Sequence, residues 1–123
     1  MTHSVLLVDD NRKIRQLLRR MFEAMGCVCS ESENGQDAVE EAGQRKPDLI
    51  VLDYSMPVMN GLEAAPLLKK MLPQTPIIMF TMFANERFAK EALAAGVTAV
   101  FSKDQAGTHL MPKAASLLRS ASI

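Results

Sequence analysis

Polar and charged side chains follow four short apolar runs of the sequence, close to the point where each run ends. Asp9 and Asp10 follow residues 5–8, Asp53 follows 49–52, Thr81 follows 77–80 and Lys103 lies just beyond 97–101. Three carboxylates brought together repel one another, at about 4 kcal/mol for a pair about 4 Å apart at an effective dielectric of about 20. Such a group therefore needs either protonation or a cation that neutralises it.

The residue types at these positions favour magnesium and phosphate chemistry. Carboxylate oxygens without neighbouring imidazole or thiolate groups suit a hard divalent ion, and Mg²⁺ tolerates incomplete protein coordination because it keeps several waters. Lys103 adds a fixed positive charge and Thr81 adds a hydroxyl donor. A metal, an ammonium group and a hydroxyl around one carboxylate could hold a phosphoryl group and stabilise its transfer.

The elements that must position these side chains alternate between strand and helix patterns. Apolar runs without alternation are typical of strands covered on both faces in a parallel sheet. The five runs predicted as strands are 5–8, 27–30, 49–52, 77–80 and 97–101. The predicted helices are one through Ile14–Met25 that Gly26 ends, a segment around Ala38–Ala42, one from near Asn60, one over 85–95 and one through Leu110–Leu118. Pro66 predicts a kink or a delayed start in the third helix.

Five strand–helix repeats predict an α/β fold, a doubly wound parallel sheet with helices on both faces and right-handed crossovers. In such a sheet, ligands bind beyond the carboxyl ends of the strands, where the strand order reverses. If the strand order is 2-1-3-4-5, strands one, three, four and five are contiguous. The strand-end side chains then converge on one edge, and they are Asp9, Asp10, Asp53, Thr81 and Lys103.

Length, charge and cysteine usage limit the class of protein. A chain of 123 residues corresponds to one domain, which we expect to span 1–123. Fourteen basic and fourteen acidic side chains cancel, so no global field favours nucleic acid or an anionic membrane. No apolar run approaches the ~20 residues that span a bilayer, and the first residues do not resemble a secretory signal, which predicts a cytoplasmic protein. Cys27 and Cys29 lack a metal-ligand set and are predicted to be reduced, packed thiols.

Several motifs resemble the receiver domain of bacterial two-component response regulators, the CheY-like family. They are VLLVDDN at 5–11, DYSMPVMNG at 53–61, Thr81 after Met79-Phe80, and Lys103 within FSKD at 101–104. The resemblance spans nearly the whole chain, and the D-x-x-M-P-x-M-x-G pattern at the correct spacing from the acidic pair is highly specific. It implies the flavodoxin-like (βα)5 fold with strand order 2-1-3-4-5.

The resemblance also implies how the site handles phosphate. Asp53 is the phosphoacceptor and takes a phosphoryl group from the phosphohistidine of a sensor histidine kinase or of a phosphotransfer protein. Lys103 pairs with the phosphoryl oxygens, and Thr81 moves inward to donate a hydrogen bond to one of them. The chain is then a signalling protein and not an enzyme, although it mediates its own phosphoryl transfer and dephosphorylation.

The implied cofactor is Mg²⁺, held by carboxylates and one main-chain oxygen. Asp10 and Asp53 bind it directly together with the backbone carbonyl of Ser55, while Asp9 acts largely through a metal-bound water. Both the metal and Lys103 favour the ionised form of Asp53 that attacks phosphorus.

The resemblance also implies that phosphorylation changes a binding surface of the domain, and that this surface passes on the signal. Phosphorylation replaces a carboxylate with a group of about −1.5 to −2 charge. Drawing Thr81 inward would repack the face made by the fourth helix, the fifth strand and the fifth helix. That face would bind an effector protein, serve an effector domain beyond Ile123, or pair with a second copy. We expect no direct contact of this domain with nucleic acid or membrane.

Three positions depart from the family pattern. Val100 stands where the family usually has a switch aromatic, and Phe101, one residue later, is predicted to face the other side of the sheet. Coupling of Thr81 to an aromatic side chain is therefore not expected at this position, and Phe83 is the alternative candidate for that role. Met82 stands where many receivers have alanine and is expected to narrow access to the phosphoryl group. Lys103 precedes Asp104 instead of proline, so a cis peptide is not expected there.

Three other functions are alternatives to a phosphoacceptor switch. A pseudo-receiver that only binds partners would have the same motifs. A magnesium-dependent phosphatase of the haloacid-dehalogenase type needs a second aspartate two residues after the first, where this chain has Ser55. An FMN-binding flavodoxin-like module needs a Ser/Thr/Gly-rich phosphate loop after the first strand, which this sequence lacks.

The apolar residues of the first predicted helix are expected in the core, and they are Ile14, Leu17, Leu18, Met21, Phe22 and Met25. The opposite side of that helix carries a row of arginines. They are Arg12, Arg15, Arg19 and Arg20. A row of this kind is typical of a solvated helix face, and a kinase-docking patch is the alternative.

Overall fold

The five apolar runs form one parallel five-stranded sheet in a computed structural model, which describes residues 2–82 and 84–121. The strands are β1 (Ser4–Val8), β2 (Val28–Ser32), β3 (Leu49–Leu52), β4 (Ile77–Thr81) and β5 (Ala99–Ser102). The order across the sheet is β2-β1-β3-β4-β5, so the flavodoxin-like strand order predicted from the sequence is confirmed. The order reverses between β1 and β3, which places a crevice at their carboxyl ends.

Five helices connect and cover the strands. They are α1 (Arg12–Ala24), α2 (Gly35–Arg45), α3 (Gly61–Met71), α4 (Glu86–Ala94) and α5 (Met111–Ala121), the last preceded by a π-helical turn at Ala106–Leu110. Four of these helices begin after an asparagine whose side chain accepts backbone N–H groups of the first turn, as is favourable at a helix N-cap. In the described part of the chain, no helix has the length and apolar content needed to cross a bilayer.

The core consists of two apolar layers, one on each face of the sheet. Alternate residues of β1 belong to different layers, with Val5 and Leu7 on one face and Leu6 and Val8 on the other. The first layer contains the inward faces of α1 and α5, and the second contains those of α2, α3 and α4. Burial on both faces explains why β1, β3 and β4 are apolar without a break over residues 5–8, 49–52 and 77–80.

Two predicted boundaries and one predicted helix face are wrong in detail. β2 extends to Ser32, because its polar residues pair along β1 at the edge of the sheet. β5 begins at Ala99, because the N–H of Val97 instead donates to Ala92 at the end of α4. On α1 the buried stripe consists of Arg15, Leu18 and Phe22, so Leu17, expected in the core, is 43% exposed.

The prediction that α3 starts near Asn60 is confirmed, whereas a delayed start, one of the two effects expected of Pro66, does not occur. Asn60 and Glu63 form a capping box, in which each side chain accepts the other's backbone N–H, and the helix begins at Gly61. Pro66 therefore lies inside the helix and does not delay its start.

Candidate functional site

Four of the predicted site residues lie at the carboxyl-terminal edge of the sheet. Asp9 follows β1, Asp53 follows β3, Thr81 ends β4 and Lys103 follows β5. Their main chains stay tied to neighbouring strands, since Asp53 N–H donates to the carbonyl of Val8 at 2.9 Å and Lys103 N–H donates to that of Thr81 at 3.1 Å. The strand order therefore brings together side chains that are far apart in the sequence.

The three carboxylates of the sequence motif form one cluster. One carboxylate oxygen from each of Asp9, Asp10 and Asp53 lies within 4.8 Å of the other two. Asp9 and Asp53 are buried, and Asp10 is exposed at the mouth of the site. Oxygen donors of this number and charge suit a small hard cation such as Mg²⁺.

Lys103 provides the positive charge inside this cluster. Its Nζ lies 2.5 Å from Oδ2 of Asp9 and 3.4 Å from Oδ2 of Asp53, and its side chain is only 13% exposed. The ammonium group therefore contacts both buried carboxylates, which partly offsets the cost of burying them.

The electrostatics of the two buried carboxyls are unusual. Burial, followed by the charge of Asp9, raises the pKa of Asp53 to about 6, although Lys103 and a backbone N–H act in the opposite direction. Burial also raises the pKa of Asp9, against the effect of its hydrogen bond from Lys103. Without added positive charge, the site thus holds its protons more tightly than exposed aspartates do.

Backbone N–H groups fix the orientation of both carboxylates. Asn11 N–H donates to Oδ1 of Asp9 at 2.9 Å, and Tyr54 N–H donates to Oδ1 of Asp53 at 2.8 Å. Because Oδ1 is held in each case, Oδ2 of each residue points toward Lys103.

The loop after Asp53 is held close to the site by Gly61. Its N–H donates to the carbonyl of Tyr54 at 2.8 Å. A Cβ added at Gly61 would overlap the carbonyl oxygen of Asp53 and lie 3.0 Å from the Cα of Tyr54. Only glycine allows the first turn of α3 to approach the main chain of the site this closely.

The remaining predicted residues lie nearby with different exposures. Thr81 is fully buried at the end of β4, while Ser55 is exposed in the loop after Asp53. Met82, which follows Thr81, is 75% exposed. Of these three residues at the edge of the site, Thr81 is therefore interior, while Ser55 and Met82 face solvent.

The predicted departure at the switch position is confirmed. Val100 packs in the layer of α2, α3 and α4, and Phe101 packs in the layer of α1 and α5, so the two side chains lie on opposite faces of the sheet. Phe83 lies outside the described residues. The described residues contain no cis peptide bond, as expected for Lys103 before Asp104.

The prediction of a solvated arginine face is wrong for two of its four members. Arg12 and Arg20 are exposed, but Arg15 is buried and Arg19 is half-buried. Arg15 and Arg19 both bond Glu31 of β2, at 2.8 Å and 2.5 Å. Burial alone would raise the pKa of Glu31, but the hydrogen bonds from these two arginines lower it overall.

An aromatic pair beside Asp53 has no signal in the sequence. The rings of Tyr54 and Phe88 meet edge to face, with their centroids 5.0 Å apart. The contact joins the residue after Asp53 to α4. Local periodicity cannot reveal it, because the two residues belong to different elements.

The two cysteines follow the prediction. Cys27 and Cys29 are free thiols and both are buried. Burial raises the pKa of Cys29 to about 11 and also raises that of Cys27. Neither belongs to the acidic cluster.

Comparisons with known proteins agree with this architecture. The family model for the response regulator receiver domain matches residues 5–115. The chain is 38% identical over 103 residues to the chemotaxis protein CheY of Halobacterium salinarum, covering 84% of this chain and 86% of that protein. It is 40% identical over 109 residues to protein-glutamate methylesterase/protein-glutamine glutaminase 3 of Hahella chejuensis, covering 85% of this chain but only 31% of that protein.

A solved structure supports the fold independently of sequence. The receiver domain protein (CheY-like) from Methanospirillum hungatei superimposes with a TM-score of 0.92 over 99% of this chain and 98% of that one, at 22% identity. With the strand order, the family match and the similarity to CheY in agreement, the chain belongs to the response regulator receiver domain family of two-component systems.

Proposed function

We propose that this chain is a phosphoacceptor switch in which Asp53 takes a phosphoryl group from the phosphohistidine of a sensor histidine kinase or a phosphotransfer protein. The observation that carries the proposal is the arrangement around Oδ2 of Asp53. That oxygen faces Lys103 at 3.4 Å, and the Asp53 carboxylate clusters with those of Asp9 and Asp10. Family membership supports the same function.

The residues fit a magnesium ion as cofactor. Asp9, Asp10 and Asp53 offer hard oxygen donors within 4.8 Å of one another, which is the donor chemistry that this ion prefers. Asp10 and Asp53 would hold it directly with the carbonyl of Ser55, and Asp9 would hold it through a water. When bound, the ion neutralises the carboxylates and the phosphoryl oxygens.

The chain's own residues perform the transfer. An ionised oxygen of Asp53 attacks phosphorus, a P–O bond forms, and the P–N bond to the donor histidine breaks. The electron pair of that bond returns to the imidazole, which then takes a proton. Lys103 compensates charge on the phosphoryl oxygens, and Tyr54 N–H keeps the carboxylate oriented for attack.

Thr81 and α4 would carry the signal outward. Thr81 is buried at the end of β4, and β4 pairs with β5 in the sheet. A movement of the Thr81 hydroxyl toward a phosphoryl group would therefore shift the ends of both strands. We place the output on α4, β5 and α5, where Leu93 of α4 is 52% exposed. An effector, or a second copy of the chain, would bind this face. The chain would act as a single receiver domain in the cytoplasm, as a signalling protein and not an enzyme.

Incubation with acetyl phosphate and Mg²⁺, followed by intact-mass measurement, tests the proposal. We expect one added phosphoryl group on the wild-type chain and none on Asp53→Asn. Asp37→Asn is the matched control, because Asp37 is an exposed carboxylate on α2 away from the acidic cluster. A wild-type chain that stays unmodified would favour a pseudo-receiver and contradict the proposal, as would equal modification of Asp53→Asn.

A further inference from the structure

Arg15 is a buried arginine next to the acidic cluster. It lies in the first turns of α1, with its side chain only 9% exposed. Arginine is seldom buried unless its charge is paired. Its position therefore calls for a specific set of acceptors.

Arg15 finds these acceptors at and just beyond the carboxyl ends of β1 and β2. Nη1 donates to the backbone carbonyl of Asp9 at 2.6 Å, and Nε donates to Oε1 of Glu31 on β2 at 2.8 Å. Nη2 lies 3.6 Å from Oε1 of Glu33. The planar guanidinium can serve these acceptors together, since its donors have a fixed fork geometry.

The carbonyl of Asp9 has a special place in the site. It belongs to the peptide that joins Asp9 to Asp10, so the orientation of that peptide sets the direction in which the Asp10 side chain leaves the main chain. The ladder between β1 and β2 ends at the bond from Asp9 N–H to Ser32, at 3.1 Å. Beyond this point Arg15, not the sheet, holds the peptide.

The side chain of Asp9 is held by other groups. Asn11 N–H bonds Oδ1 and Lys103 bonds Oδ2. Loss of Arg15 would thus leave the carboxylate of Asp9 held while freeing the peptide that leads to Asp10. The expected consequence is a poorly placed Asp10 carboxylate.

We propose that Arg15 is a positioning residue for the magnesium site, which holds the peptide between Asp9 and Asp10 by its bond to the Asp9 carbonyl and is itself anchored by Glu31. The inference rests on the proposed function, since it presumes that the acidic cluster binds Mg²⁺. A purely structural arginine that only ties α1 to β2 would stabilise the fold without affecting the metal.

Arg19 offers a matched control on the same helix. Its Nη1 lies 2.5 Å from Oε2 of Glu31, and its Nη2 donates to the carbonyl of Cys29 at 3.1 Å. It shares Glu31 with Arg15, but no hydrogen bond between described residues joins it to Asp9. Removing Arg19 therefore weakens the tie between α1 and β2 without touching the peptide of the acidic pair.

Calorimetric titration with MgCl₂ of the whole chain, with urea unfolding of each variant, tests the inference. Loss of a group that orients metal ligands typically weakens metal binding about 10–100-fold. We expect a loss in this range for Arg15→Met, and a Kd for Arg19→Met within about twofold of wild type. Arg15→Lys keeps the positive charge but not the planar set of guanidinium donors, so we expect its affinity for Mg²⁺ to fall about tenfold.

The outcomes separate this inference from the proposed function. A wild-type chain that binds no Mg²⁺ would overturn both. Wild-type affinity in a folded Arg15→Met chain would overturn the inference alone, even if that chain is less stable to urea. If Arg15→Met does not fold, Arg15→Lys decides, and a Kd equal to that of the wild type would overturn the inference.

Discussion

Replacement of Gly61 by alanine changes stability in two opposite ways, because alanine favours the helix but its Cβ clashes with the main chain of the site. Gly61 is the first residue of α3, and its N–H bonds the carbonyl of Tyr54. Alanine is favoured over glycine in a helix by up to about 1 kcal/mol. Propensity alone would therefore predict a more stable protein.

The close approach to Asp53 reverses this expectation. A Cβ at Gly61 would lie closer to the Asp53 carbonyl oxygen than the 3.0 Å at which Cβ contacts normally end. It would also lie 3.0 Å from the Cα of Tyr54 and 3.1 Å from the carbonyl carbon of Asp53. All three atoms are backbone, so relief requires a movement of α3 or of the site itself. Overpacking typically costs about 1–3 kcal/mol, and clashes with three backbone atoms favour the upper part of that range, about 2–3 kcal/mol. After a propensity gain of about 1 kcal/mol, we expect Gly61→Ala to lower the free energy of unfolding by about 1–2 kcal/mol.

Gly43 of α2 provides the control. A Cβ there would meet only the end of the Met71 side chain, with Sδ at 3.2 Å and Cε at 3.9 Å, and a methionine terminus can move aside. Gly43→Ala should therefore gain most of the helix propensity and raise the free energy of unfolding by about 0.5–1 kcal/mol.

Urea unfolding of the two variants measures these changes, and intact mass after acetyl phosphate treatment reports on the site. We expect the two stabilities to move in opposite directions, and Gly61→Ala alone to be phosphorylated more slowly, because the main chain of Asp53 shifts. If Gly61→Ala is as stable as Gly43→Ala, the contact of α3 with Asp53 does not constrain the site and the reasoning is wrong.

Three further predictions follow from the pKa values and packing. The folded pKa of Asp53, about 6, lies above its ordinary value of 3.8, so the metal-free protein should lose stability as the pH rises from about 4 to 6. At pH 7, Asp53→Asn should be more stable than the wild type to urea by about 2–3 kcal/mol, a difference that vanishes near pH 4; a pH-independent difference would contradict the assignment. A double-mutant cycle of Tyr54→Leu and Phe88→Leu should give a coupling energy of about 0.5–1.5 kcal/mol, and additive losses would show that the edge-to-face contact contributes nothing. Cys27 and Cys29 should react with a disulfide reagent at pH 8 at least about tenfold more slowly in the native protein than in urea, since the thiolate is the reactive form; equal rates would mean that the thiols are accessible.

Element types could be predicted from the sequence because they depend on local patterns. The run 49–52 is apolar throughout, and it forms the central strand with the predicted bounds. The predicted start of α3 near Asn60 is confirmed, and it is local because the Asn60 side chain caps the first turn of the helix. Predicted strand boundaries were wrong where contacts between elements decide them. The N–H of Val97 donates to the carbonyl of Ala92 in α4, and the polar residues of β2 pair with β1.

Burial on α1 shows the same limit. The apolar pattern alone assigned Leu17 to the core and Arg15 to solvent. The structure reverses both, because Glu31 of β2 and the carbonyl of Asp9 provide acceptors that make a buried arginine favourable. Neither acceptor is visible in the sequence of the helix.

The groups at the strand ends, and the chemistry they can perform, can be inferred without a structure, since residue type and local periodicity are properties of short segments. Two further facts depend on how the chain folds. Lys103 lies 2.5 Å from Asp9, which is 94 residues away in the sequence, and burial raises the pKa of Asp53 to about 6. Distances between strand ends depend on strand order and register, and desolvation depends on every atom packed around a group. Both quantities therefore arise only when distant parts of the chain come together.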